Sequence, residues 1–124
     1  MTNVSEAGPV ITLVRDLLFA SKITATAASV GTSVTLVRDP EKLAGHPGTR
    51  LIVDLNQDGA IDAARVWKGE TGGDVVGFVS HVDTETISRA RAAGIDRVLA
   101  RSRFVELLPE LLANRPVPEF DAGV

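Results

Sequence analysis

Residues 51 to 59 read Leu51-Ile52-Val53-Asp54-Leu55-Asn56-Gln57-Asp58-Gly59, and two kinds of chemistry could use those side chains. Oxygen donors at every second position, followed by glycine, form the first half of a calcium-binding loop. An apolar strand ending in one aspartate instead presents a single carboxylate at the open end of a sheet, where ligands and group-transfer chemistry collect. The two readings require different surroundings for Asp54, so the neighbouring elements choose between them.

The calcium reading begins well. Asp54, Asn56, Asp58, Gly59 and Asp62 match the ligand and turn positions of an EF-hand loop, and Ile61 fits its apolar eighth position. The loop should close with a bidentate glutamate at its twelfth position, where this chain has Arg65. A guanidinium has no acceptor atom and repels a divalent ion. Gly45-His46-Pro47-Gly48 also stands where an entering helix is needed, and no second copy supplies the pair that dockerins use. Calcium binding is therefore not expected.

Short β-rich runs alternate with helical patterns along the chain. Strands are predicted at Val10–Val14, Ser33–Val37, Arg50–Asp54, Val75–Val79 and Ile95–Ala100. Helices are predicted from Asp16 to Ser29, with Phe19, Ile23, Ala27 and Val30 on one face, and from Ala60 to Lys68. A third runs from the cap Asp83 to Ala93, and a fourth from Phe104 to Asn114, with Pro109 as a bend or a late start. Between the second and third strands, Asp39-Pro40-Glu41-Lys42-Leu43-Ala44 allows only a turn or two of helix. Gly69 to Gly73 is expected to be a turn. Strands alternating with helices across short links predict a three-layer α/β domain with a parallel sheet covered on both faces. The domain is expected over residues 9–114, after a lead at 1–8 and before an extended tail at 115–124.

The bulk properties narrow the function classes. The 124 residues carry a net charge of −3 with the signs interspersed, which gives no basic footprint for nucleic acid. There is no cysteine for a disulfide, thiolate metal site or redox site. No run approaches the ~20 apolar residues of a membrane helix. The N-terminal residues lack the basic and apolar regions of a signal peptide, so a cytoplasmic location is expected.

In a doubly wound sheet, functional groups gather at the carboxyl ends of the strands. Those ends carry Arg15-Asp16, Asp54, Ser80-His81 and Arg101-Ser102. At this point residues 9–114 resemble the receiver domain of two-component response regulators. Asp54 in Ile52-Val53-Asp54-Leu55-Asn56 falls at that family's phosphoacceptor, and Ser80 falls at its hydroxyl position. Ala92-Ala93-Gly94-Ile95-Asp96-Arg97-Val98-Leu99 matches the approach to its fifth strand, and Phe104 matches the aromatic that follows it. The resemblance implies a flavodoxin-like five-stranded parallel sheet in the order 2-1-3-4-5. It also implies a signalling role rather than an enzyme's, through a protein partner that could be a second copy. A homodimer would use the face of the last two helices and the fifth strand.

Several residues depart from the family pattern. The acidic pair that serves magnesium becomes Arg15-Asp16, leaving Asp16 and Asp54 as the remaining metal-ligand candidates. The fifth strand's Lys-Pro becomes Arg101-Ser102, and Val98 stands where many receivers carry Tyr or Phe. Arg15 is then placed to pair with Asp54 or Asp16 as a fixed cation in the metal's stead. Arginine is a planar fork, so Arg101 need not reproduce a lysine's contact with an acyl phosphate. These changes predict a pseudo-receiver, an interaction module with weak or no magnesium-dependent phosphorylation. The alternatives are an active phosphoacceptor at Asp54 and a sensor of small anions or ligands using Arg15, Ser80 and Arg101. Among the other residues, His46 reads as a solvated loop residue, His81 as a cap or solvent contact and Trp67 as core. Ser80 lacks the surroundings of a hydrolase nucleophile.

Overall fold

The computed structural model describes residues 9–81 and 83–113. The lead at 1–8 and the tail at 115–124 lie outside the described residues. Five strands form one parallel sheet in the order β2-β1-β3-β4-β5. They are β1 (Val10–Leu13), β2 (Val34–Val37), β3 (Arg50–Asp54), β4 (Asp74–Val79) and β5 (Arg97–Ala100). The helices are α1 (Leu17–Ser29), α2 (Ala60–Thr71), α3 (Thr84–Ala92) and α4 (Arg101–Leu112). The β2–β3 connection contains only a three-residue 3₁₀ turn, Pro40–Lys42.

Side-chain alternation along the strands separates two apolar layers. Ile11, Leu13, Leu51, Val53, Val75 and Val98 face α2, α3 and the 3₁₀ turn, where they meet Leu43, Ile61, Trp67 and Ile87. Val10, Ile52, Val76 and Leu99 face α1 and α4, against Phe19, Ile23, Phe104 and Leu108. The β3 segment Arg50–Val53 is wholly buried, as a strand covered on both faces requires. The second layer depends on aromatic packing: Phe78 stacks on Phe104 at 4.4 Å, and Phe19 meets Phe78 edge-on at 5.2 Å.

Several element limits differ from the sequence expectation. Helix α2 runs through Gly69 to Thr71 and stops at Gly72, whose φ of 73° is left-handed. A single exposed glycine costs about 1 kcal/mol in a helix, which is little beside the packing of fully buried Trp67. Strand β5 starts at Arg97, because Ile95 and Asp96 are occupied elsewhere: the Ile95 amide donates to Ala90 and the Asp96 carboxylate accepts from the Val75 amide. Helix α4 begins at Arg101, immediately after β5, and carries Pro109 inside it. Val30 caps the end of α1 and is 38% exposed instead of continuing its apolar face. Trp67 is core, as expected, and its indole N–H donates to the His46 carbonyl at 2.9 Å.

Candidate functional site

Asp54 is the last residue of β3 and lies opposite Phe78 in the sheet register. Its carboxylate is half-buried, and Oδ1 accepts the Asn56 amide at 3.0 Å. The Asn56 side chain then reaches across to β4, where its Oδ1 accepts the Ser80 amide at 2.6 Å and the His81 amide at 3.4 Å. Gln57 donates its side-chain amide to the Arg38 carbonyl at 2.7 Å. The Asp-x-Asn segment thus ties the exit of β3 to the exits of β4 and β2. The Asn56 oxygen that a calcium loop would turn toward an ion is engaged with backbone N–H groups.

Asp16 caps α1, with Oδ1 accepting the amides of Leu18 at 2.9 Å and Phe19 at 3.3 Å. Arg101 is fixed differently: its guanidinium lies 4.1 Å from the centroid of the Phe19 ring, a cation–π contact. Both residues act on Asp54. Burial pushes the Asp54 carboxyl above its ordinary range, and the charge of Asp16 adds to this. The Asn56 N–H, Arg101 and His81 oppose the rise. Asp83 caps α3, and the Thr86 amide that it accepts holds its carboxyl below the usual value.

Arg15 does not take the position expected of it. Its guanidinium pairs instead with Asp39, beyond β2, at 3.1 Å. The pair is possible because Asp39 follows β2 as Arg15 follows β1, and the two strands are paired in parallel. Arg101, more than His81, is therefore the positive charge that acts on Asp54. Ser80 is exposed at the end of β4, beside Asn56, and His81 is exposed 3.7 Å from Asp83.

Among the described residues, no three His, Cys, Asp or Glu side chains converge to hold a metal ion. Asp16 and Asp54 are two carboxylates, one already committed to a helix cap and the other acted on by a resident arginine. This donor set fits magnesium poorly, because Arg15, paired with Asp39, stands where a further acid would be needed to offset dehydration of the ion.

Sequence reasoning singled out Arg15, Asp16, Asp54, Ser80 and Arg101, and all five stand at the carboxyl ends of the strands. It missed the bracing by Asn56, the aromatic platform under Arg101 and the partner of Arg15. An Asn two residues after a strand-ending Asp is a turn signal that could have revealed the first.

No protein-family profile matches the sequence, and no curated protein does. Solved structures do match the fold. The chain is similar to a CheY-like response-regulator receiver domain from Methanospirillum hungatei JF-1, with 12% identity, 86% of this chain and 94% of that chain covered and a TM-score of 0.71. It is likewise similar to a response regulator from Thermotoga maritima, at 14% identity, 87% and 96% coverage and a TM-score of 0.68. An orphan response regulator of H. pylori matches at 13% identity, 87% and 92% coverage and a TM-score of 0.69. The fold is that of response-regulator receiver domains, a flavodoxin-like three-layer sandwich.

Proposed function

We propose that this receiver-fold chain is a cytoplasmic signalling module of the pseudo-receiver kind, read by a protein partner and not an enzyme. Its rim works without magnesium-driven phosphorylation. The observation that carries the reading is the neighbourhood of Asp54. The charge beside that carboxylate is answered by Arg101, which Phe19 holds in place, and the single nearby acid is tied to the start of α1. Phosphoryl transfer to a carboxylate depends mainly on positioning and on neutralising charge, and a metal ion ordinarily supplies the latter. A guanidinium stacked on a ring is a fixed charge with a fixed geometry and does not substitute for that ion. No described helix is long and apolar enough to cross a membrane.

The test is incubation with acetyl phosphate and magnesium followed by intact mass measurement. The expected result is an unmodified chain. A phosphate adduct that disappears in Asp54→Asn would establish the active phosphoacceptor instead. A thermal shift on adding phosphate at millimolar concentration, lost in Arg101→Gln, would favour the anion sensor.

A further inference from the structure

The β2–β3 connection packs against α2 with only a short 3₁₀ turn. Pro40–Lys42 makes less than two turns of 3₁₀ helix, and between it and α2 lies a cleft of about 620 Å³. Pro40, Ala63 and Val66 supply its apolar wall, and Val66 is 43% exposed in the middle of α2. Glu41, Asp58 and Asp62 stand exposed around it. The cleft's one arginine, Arg15, is already paired with Asp39 at 3.1 Å, so the uncompensated charge is negative.

We propose that this cleft docks a cationic amphipathic segment of a partner protein, with an apolar side chain against Val66 and lysine or arginine side chains toward Glu41, Asp58 and Asp62. Apolar surface framed by like charges selects a partner of complementary charge and rejects acidic segments by repulsion. Asp54 is not among the residues that line the cleft, which meets the rim at Arg15. The inference deepens the pseudo-receiver reading, resting on its premise that the chain acts by protein contact.

The probe is a short peptide of alternating leucine and lysine, titrated into the isotopically labelled chain. An otherwise identical leucine–glutamate peptide is the control. Amide shifts are expected over residues 40–44 and 58–67 with the lysine peptide alone. Affinity should fall about tenfold in Val66→Ser and in the double variant Glu41→Lys/Asp62→Lys, and remain unchanged in Leu36→Ser on the edge strand. Equal binding of the glutamate peptide, binding indifferent to Val66→Ser, or no shift in these residues would overturn the proposal. The acetyl phosphate experiment reads Asp54 whatever the peptide does, so the docking site and the rim reading fail separately.

Discussion

At the scale of the residue, Asp54 is held in a place that suits its neutral form better than its charged one. Burial raises its pKa, and Asp16 adds to the effect. For an acid whose folded pKa is raised, the folded state binds the proton more tightly than the unfolded state. Stability then falls as pH rises from the ordinary carboxylate range through the raised value, and stays low above it. Asp54→Asn removes that penalty and keeps an oxygen for the Asn56 amide. The variant is expected to melt higher than the parent at neutral pH, with the gap closing as pH falls toward the ordinary Asp range. Calorimetry across that range checks it, and a variant less stable at neutral pH would show that the carboxylate's contacts outweigh its desolvation. The type and position of Asp54 were legible in the sequence. Its neighbours were only partly so: Arg101 was identified as a rim residue, but nothing in the spacing shows that it rests on Phe19.

At the scale of the element, β4 is shaped by a residue that carries no side chain. A Cβ on Gly77 would stand 2.5 to 2.8 Å from three side-chain atoms of Leu55, the residue that follows Asp54. Leu55 is itself buried, in the layer that packs against α2 and α3. Gly77→Ala should therefore destabilise the fold by about 1–3 kcal/mol through overpacking, measured by urea unfolding. Adding Leu55→Ala should recover part of the loss, whereas strictly additive losses would show that the clash is not with Leu55. Strand and helix identities followed from apolar periodicity, but their ends did not. Gly69 looked like a stop and is crossed by α2, because Trp67 and the bond from the Thr71 hydroxyl to the Trp67 carbonyl hold the last turn. Local punctuation gives way where tertiary packing contributes more than the glycine costs.

At the scale of the whole molecule, one buried cation joins the layers at the end of the sheet opposite the rim. Arg50 is 3% exposed and makes two bonds to the Asp74 carboxylate, at 3.0 and 2.9 Å, and a third to the Leu111 carbonyl at 3.1 Å. It links β3, β4 and the end of α4, where a positive charge also meets the negative end of the helix dipole. Asp74→Ala leaves that guanidinium without its carboxylate and should cost about 1–3 kcal/mol, with water reaching the half-exposed site keeping the loss below that of a fully buried pair. Urea unfolding checks this, and a loss under about 0.5 kcal/mol would mark the pair as no stronger than a surface one.

Alternating strand and helix patterns were enough to predict a three-layer α/β fold and to gather Arg15, Asp16, Asp54, Ser80 and Arg101 at the strand ends. Hydrophobic period and strand-end position are properties of the chain in one dimension. Which polar groups meet depends on the sheet register. Arg15 with Asp39, Arg50 with Asp74 and Asn56 with Ser80 each join residues 24 apart. That offset is the length of one strand–helix–strand unit, and Val10 opposite Val34 and Arg50 opposite Asp74 show it in the sheet register. Before the register is known, Arg15 is expected to pair with Asp54 or Asp16. Parallel pairing of β1 with β2 places Asp39 beside it, and Arg101 is left as the cation facing Asp54.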